Sequence, residues 1–189
     1  DLTLITGASS GIGWELAIVC AQNGENLLLV ARRKERLQEL QDLLQDTYKI
    51  FVDIYAVDVG IYENRRTLFE YTIEKNYSVS FLINNAGLGT HGAFFEQDRK
   101  KERSVIDVNI AAVSDLTHLF LSPMMKGNAG RILCVASMAG FQPGPFMASY
   151  FASKAFVVRF VQAIHFELKQ HVELEFDRIR IISIRIRTK

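Results

Sequence analysis

Residues 2–13 read LTLITGASSGIG, a short apolar strand pattern that runs directly into a turn with glycines at positions 7, 11 and 13. Glycine permits a tight turn and a close backbone approach, and the helix expected to follow presents free N–H groups to an anion. A glycine-rich turn between a strand and a helix is therefore typical of a pyrophosphate site. Such a turn also occurs without a ligand, so the glycines alone do not distinguish a pyrophosphate site from an ordinary tight turn.

Apolar, β-branched runs alternate with amphipathic stretches along the whole chain. The predicted strands are Leu2–Thr6, Asn26–Ala31, Ile50–Ala56, Ser80–Ile83, Arg131–Ala136 and Arg178–Ile186. The predicted helices are Trp14–Asn23, capped by Gly24, then Lys34–Gln45, Glu63–Lys75, a stretch near Lys101–Phe120, and Ala148–Gln170. This alternation predicts an α/β fold with a parallel sheet covered by helices on both faces. Ligands of such folds bind at the carboxyl ends of the strands.

The length and the charge balance narrow the classes of function. A chain of 189 residues without repeats or linkers predicts one domain over residues 1–189. The 22 Lys and Arg residues against 21 Asp and Glu residues leave a net charge of +1, so we expect neither a nucleic acid nor a membrane as partner.

The two cysteines point to a reducing compartment. Cys20 and Cys134 lie in apolar runs, which favours buried free thiols over a disulfide. The four histidines lack the spacing of a metal site, so no metal is expected. The residues from Asp1 onward show no leader pattern, and no run reaches the ~18–20 apolar residues of a membrane span. We therefore expect a soluble, cytoplasmic protein.

The end of the second predicted strand bears on the type of nucleotide. An acidic residue there would bind the ribose 2′-hydroxyl of NAD(H), but the chain reads Val30-Ala31-Arg32-Arg33-Lys34. Cations at this point can bind a 2′-phosphate through charge-assisted hydrogen bonds, which favours NADP(H), with Arg32 as the main candidate. The alternative is that these cations only solvate the start of a helix.

Candidate catalytic side chains lie in the last third of the chain. Tyr150 and Lys154 are four residues apart in a predicted helix and so project from one face, where the ammonium would stabilise a phenolate. Tyr150 could then exchange a proton with a substrate oxygen. Ser137 ends the pattern RILCVAS at the sheet edge of the glycine turn, and its hydroxyl could donate to the reacting oxygen. An ordinary helix face and a serine that starts a loop are the alternatives.

Taken together, TGASSGIG at 6–13, NNAG at 84–87, Ser137 and Tyr150-x-x-x-Lys154 resemble the short-chain dehydrogenase/reductase family over roughly residues 1–170. The resemblance implies a Rossmann fold with strand order 3-2-1-4-5-6. It also implies an oxidoreductase that moves a hydride between NADP(H) and a carbonyl or alcohol, with Tyr150 as acid/base and Lys154 as its activator. Asn109, in the stretch DVNI, matches the family's fourth catalytic residue.

The resemblance further implies a nucleotide-binding surface. Asn109 would shape the active-site helix and hold a water near Lys154. Lys154 would also bind the nicotinamide ribose. Homodimers or homotetramers are the implied assemblies. The implied cofactor-binding residues are Gly7, Ala8, Ser9, Ser10, Gly11, Ile12, Gly13, Arg32, Arg33, Asp58, Val59, Asn85, Ala86, Gly87, Tyr150 and Lys154.

Apolar side chains flank the predicted site and predict an apolar carbonyl or alcohol as substrate, with core or subunit-interface packing as the alternative. They are Leu88, Phe94, Phe95, Met138, Phe141, Phe146 and Met147. The terminal RIRIISIRIR pattern predicts a half-buried strand and not a nucleic-acid patch. The family continues with a Pro-Gly turn, a substrate-covering segment and a last strand. None of these is found up to Lys189, so we expect that a lid and a last strand are missing from the sequence.

Two other functions share part of this pattern. A non-catalytic NADP(H)-binding sensor or scaffold would keep the fold, but it would be expected to have lost one of the four catalytic residues, and all four are present. A nucleotide-sugar epimerase or dehydratase shares the Tyr/Lys pair, but its glycine spacing and its longer substrate region differ from those found in this chain.

Overall fold

The sheet at the centre of the molecule confirms the predicted fold class. The computed structural model of the protein describes residues 1–171 and 179–184. Its sheet has six parallel strands in the order β3-β2-β1-β4-β5-β6, as the family resemblance implied. The strand order reverses between β1 and β4, so a crevice opens at their carboxyl ends. The strands are β1 Leu2–Thr6, β2 Leu27–Ala31, β3 Val52–Ala56, β4 Val79–Asn84, β5 Gly130–Val135 and β6 Ile179–Ile184.

Helices connect the strands and cover both faces of the sheet. One long helical segment between β4 and β5 consists of α4 and α5, joined by a π-helical turn over Asp107–Ala111. Such turns insert an extra residue into a helix and are frequent at functional sites. The helices are α1 Gly11–Gln22, α2 Lys34–Tyr48, α3 Tyr62–Glu74, α4 Arg99–Ile106, α5 Ala112–Lys126 and α6 Ala148–His171.

The strands are apolar on both faces because each face has its own core. Successive side chains of a strand point to opposite sides, so Leu4 packs with α3, α5 and α6 while Ile5 packs with α1 and α2. Leu28 and Leu29 divide between the two cores in the same way. This two-sided burial explains why the predicted strands read as continuous apolar runs.

The predicted boundaries differ from the observed ones mainly at the ends of the helices. α1 begins at Gly11 and not at Trp14, because the glycine turn itself supplies the first residues of the helix. The predicted stretch near Lys101–Phe120 extends in the structure from Arg99 to Lys126. Gly24 has the left-handed φ of +74° expected of a residue that ends a helix. Of the predicted last strand, residue 178 and residues 185–186 lie outside the described residues.

The continuous helix from Arg99 to Lys126 is long and apolar enough, by length and composition, to cross a membrane. A core helix of a globular protein meets the same test. Leu116 and Phe120 of this helix are each 1% exposed and belong to the core that also contains Val157 of α6. We therefore interpret it as a core helix.

Candidate active site

The glycine turn is held tightly against the end of β4. A Cβ at Gly7 would lie 2.8 Å from the Cα of Ala86, and a Cβ at Gly13 would lie 2.4 Å from the carbonyl oxygen of Gly7. Both positions therefore exclude a side chain. Gly11 differs, since its φ of +57° favours glycine while nothing lies within 4 Å of where its Cβ would be. The turn is thus packed on one side and open at the start of α1.

Thr6, which the sequence did not single out, fastens this turn to the NNAG segment. Its buried hydroxyl accepts hydrogen bonds from the backbone N–H groups of Asn85 (3.0 Å) and Ala86 (3.1 Å) and donates to the carbonyl of Ile83 (3.3 Å). In return, the Asn85 amide donates to the carbonyls of Thr6 (2.9 Å) and Gly7 (3.3 Å). These bonds make the carboxyl ends of β1 and β4 one rigid unit.

Arg33 lies across the glycine turn. Its Nη2 donates to the Oγ of Ser9 (3.0 Å) and of Ser10 (2.6 Å), which brings a guanidinium and two hydroxyls together at the start of α1. Arg32 points to the other side, where its Nη1 lies 3.8 Å from Oδ2 of Asp58. Asp58 therefore balances part of the charge of Arg32, whereas Arg33 contacts neutral groups.

A cleft of about 470 Å³ runs along this edge of the sheet and collects most of the predicted nucleotide-binding residues. Its wall includes eleven of them, from the glycine turn to the NNAG segment. The same wall contains apolar residues that were not predicted to lie in the site: Val30, Ala31, Val57 and Val108. Leu88, predicted to flank the substrate, also lines this wall. The predicted residues in the wall are Gly7, Ser9, Ser10, Ile12, Arg32, Arg33, Asp58, Val59, Asn85, Ala86 and Gly87.

A second pocket, of about 200 Å³, holds Ser137, Tyr150 and Lys154. It adjoins the cleft, because Ile12, Asn85, Gly87 and Leu88 line both. The two spaces thus form one surface from Asp58 at one end to Tyr150 at the other. Three further residues of the small pocket were not predicted: Gly89, Val135 and Ala136.

The three polar side chains of this pocket come from two elements. Ser137 follows β5 and caps the short turn Met138–Phe141, where its Oγ accepts a hydrogen bond from the N–H of Ala139 (3.2 Å). Tyr150 and Lys154 lie one turn apart on α6, and the Lys154 Nζ lies 5.9 Å from the centre of the Tyr150 ring. A cation, a phenol and a hydroxyl therefore line one space, a combination that can deliver a proton to a substrate oxygen.

Lys154 is buried with few compensating contacts. It is 6% exposed, and its Nζ donates to the carbonyl of Val135 at 2.8 Å. Burial lowers the pKa of Lys154 to about 8, against a small opposing effect of the Cys134 thiol. At pH 7 the ammonium form of Lys154 therefore still predominates, but it loses its proton more readily than the ammonium of an exposed lysine.

This pKa predicts a pH dependence of stability. Between about pH 8 and the ordinary lysine pKa of 10.5, Lys154 is neutral in the folded protein and still protonated when unfolded. Unfolding then takes up a proton, so raising the pH favours the folded state, by up to about 3 kcal/mol across this range. We expect this rise in urea unfolding of the wild type between pH 7 and pH 10, relative to Lys154→Met. Lys101→Met, at an exposed lysine of α4, should behave like the wild type. Parallel curves for the wild type and Lys154→Met would contradict the prediction.

Asn109 lies in the π turn and is buried behind the pocket, at 1% exposure. Its Oδ1 accepts from the N–H of Leu88 (2.8 Å), and its Nδ2 donates to the carbonyl of Leu88 (2.8 Å) and to the Oγ of Ser153 (2.9 Å). The side chain thus holds the loop after NNAG against α6. The predicted role of Asn109 in shaping the active-site helix and the predicted water near Lys154 both stay predictions.

Three predicted nucleotide-binding residues are absent from the walls of both pockets. Ala8 is fully buried in the core beneath the turn, Gly13 packs against Asn85, and Gly11 lies at the open start of α1. The polar Thr6 at the end of an apolar strand was a signal that could have been noticed. No such signal marked Val108 in the sequence, because only the fold brings it to the cleft of the glycine turn. Over the described ranges 1–171 and 179–184, no group of three or more His, Cys, Asp or Glu residues could hold a metal ion.

Comparisons with known proteins agree with this geometry. The model of the family described as short chain dehydrogenase matches residues 1–185. A very-long-chain 3-oxoacyl-CoA reductase of Pyrenophora tritici-repentis is 36% identical over 178 residues, which are 89% of this chain and 50% of that protein. The chain therefore spans about half the length of this curated relative.

Two solved structures have the same fold. The bulky-bulky ketone specific alcohol dehydrogenase of Comamonas testosteroni is 32% identical, with a TM-score of 0.88 over 97% of this chain and 71% of that one. A short-chain dehydrogenase of Sphingobium yanoikuyae, solved in complex with NADPH, is 31% identical, with a TM-score of 0.88 over 98% of this chain and 70% of that one. With the family model matching nearly its whole length, this chain belongs to the short-chain dehydrogenase family.

Proposed function

We propose that this protein is an NADP(H)-dependent oxidoreductase that interconverts a carbonyl and an alcohol. One observation carries the proposal: the pocket that holds Ser137, Tyr150 and Lys154 is continuous with the cleft of the glycine turn. A nucleotide in that cleft would bring its reactive end to the phenol. The NADPH complex of the Sphingobium yanoikuyae dehydrogenase and the reductase name of the fungal relative support the same activity.

The residues of the cleft fit a phosphorylated dinucleotide. The absence of side chains at Gly7 and Gly13 lets the turn lie flat against β4, and the open start of α1 at Gly11 leaves N–H groups free to face a pyrophosphate. At the adenosine end, Arg32 and Arg33 flank the cleft, where a 2′-phosphate would need cations. Asp58 already faces Arg32, so it is poorly placed to hold a ribose hydroxyl as an NAD(H)-binding acid would.

The side chains of the small pocket would supply the proton chemistry. When bound in the cleft, NADP(H) would supply or accept the hydride at the substrate carbon. In the reducing direction, Tyr150 gives its phenolic proton to the carbonyl oxygen as that carbon gains the hydride, so an alcohol and a tyrosinate result. The Ser137 hydroxyl stabilises the charge that develops on the oxygen. Lys154 stabilises the tyrosinate until a proton returns from water, and oxidation of an alcohol runs through the same steps in reverse.

We propose an apolar, bulky substrate. Exposed apolar side chains lie on the segment between Ser137 and Tyr150, two residues that line the small pocket: Met138 is 44% exposed, Phe141 43%, and Phe146 60%. Phe94 and Phe95, on the loop after NNAG, are 65% and 86% exposed. Exposed apolar side chains on segments that adjoin pocket-lining residues favour the binding of an apolar ligand. The ketone specificity in the name of the Comamonas testosteroni enzyme points in the same direction.

A substrate panel tests both parts of the proposal. The purified protein is incubated with NADPH or NADH and with ketones that range from acetone to diaryl ketones, and with charged 2-oxo acids. We expect oxidation of NADPH, measured at 340 nm, to be fastest with the bulky apolar ketones and slower with NADH. Faster turnover of small charged substrates would contradict the substrate class, and equal rates with NADH would contradict the cofactor preference.

A further inference from the structure

Two parallel hydrogen-bonded bridges join the same three elements around Tyr150. The first bridge is that of Asn109, which binds Leu88 of the loop after NNAG and Ser153 of α6. The second starts at Glu102 on α4, one carboxylate oxygen of which accepts a hydrogen bond from the Thr90 hydroxyl. The other oxygen accepts one from the Ser149 hydroxyl.

The spacing of the two bridges shows that they belong to one arrangement. Along the loop they are two residues apart: Leu88 contributes its backbone N–H and carbonyl to the first bridge, and Thr90 contributes its hydroxyl to the second. Along α6 they are four residues apart, at Ser149 and Ser153, which places them on one helix face. Each bridge thus connects the α4–α5 segment to the loop and to α6.

On α6, Tyr150 lies between Ser149 and Ser153, the residues at which the two bridges reach this helix. Its ring packs under the loop, because a Cβ at Gly89 would lie 3.5 Å from Cδ2 of Tyr150. The carbonyl of Tyr150 accepts a hydrogen bond from the Ser153 hydroxyl (2.7 Å), so the first bridge extends to the backbone of Tyr150. The second bridge ends on Ser149, the residue before Tyr150. The loop that covers the ring and the helix that carries it are both held by Glu102.

We propose that Glu102 is a positioning residue for Tyr150, which closes the loop over the phenol ring and fixes the first turn of α6. This inference rests on the proposed function, because it assigns Glu102 a part in orienting the proton donor. The carboxylate suits the task, since it only accepts hydrogen bonds and can receive one hydroxyl on each oxygen. A misplacement of about 1 Å in a reacting group can lower turnover by about 100-fold.

The kinetic test uses the best ketone of the substrate panel. We expect Glu102→Ala to lower kcat by about 10- to 100-fold, with an unchanged dissociation constant for NADPH. Glu102→Gln keeps one acceptor oxygen and should recover part of kcat. Thr90→Val should lower kcat in the wild type and add nothing in Glu102→Ala, because the two residues act through one hydrogen bond. Glu63→Ala, an exposed glutamate of α3, is the control and should match the wild type.

Amide hydrogen exchange of the free protein tests the bridge without turnover. Residues 88–92 should exchange faster in Glu102→Ala than in the wild type, whereas the strands should not change. Faster exchange together with no turnover of any ketone by the wild type would overturn the proposed function and leave the bridge standing. Unchanged exchange, wild-type kcat in Glu102→Ala, or equal losses of kcat and NADPH affinity would overturn the role of Glu102.

Discussion

Tyr150→Phe should lose turnover by about 10²- to 10⁴-fold while still binding NADPH, because it lacks only the proton that general acid catalysis requires. The phenyl ring keeps its place under Gly89, where the Tyr150 ring packs now. The rest of the pocket, including Ser137 and Lys154, should be undisturbed. Rates with the best ketone of the panel give kcat, and quenching of Trp14, the single tryptophan, measures NADPH binding.

Tyr62→Phe is the matched control, since Tyr62 is 63% exposed on α3 and does not line either pocket. It should leave kcat and NADPH binding at the wild-type level. If Tyr150→Phe retained wild-type turnover, Tyr150 would not be the acid. If the wild type bound NADPH but reduced no carbonyl of the panel, the alternative of a non-catalytic NADP(H)-binding sensor would be favoured.

Replacement of both Arg32 and Arg33 by alanine should abolish the preference for NADPH over NADH. Hydrogen bonds to charged groups contribute about 1.5–3 kcal/mol each, or about 10- to 100-fold in affinity. We expect Arg33→Ala to account for the larger part, because Arg33 contacts only hydroxyl and carbonyl groups of Ser9 and Ser10 in its hydrogen bonds to the turn. Arg32 is already paired with Asp58, so Arg32→Ala alone should cost less.

The measurement is kcat/KM with each nucleotide, together with titration of NADPH binding by tryptophan fluorescence. NADH values should change little in any of these variants, since NADH has no 2′-phosphate. Arg66→Ala, an exposed arginine of α3 that pairs with Glu70, serves as the control. A double variant that kept the full preference for NADPH would show that neither arginine reads the 2′-phosphate.

The fold was predictable because it depends on local and regular patterns. The apolar run Leu2–Thr6 and the glycines after it decide the first strand and turn, and the later runs repeat that alternation. The helical boundaries were less accurate. The π turn at Asp107–Ala111 has no period of its own in the sequence, and α1 starts inside the glycine turn, where glycine is a poor helix former by propensity.

The sequence by itself determined the strand order, through the family resemblance. It also determined which types of side chain lie at the carboxyl edge of the sheet, because catalytic chemistry restricts the residue types at short spacings such as that of Tyr150 and Lys154. Only the tertiary structure decided which groups meet across long separations. It placed Arg33 on Ser9 and Ser10, and it joined Glu102 to both the loop and α6. Such contacts depend on side-chain directions between elements, and no periodicity along the chain encodes them.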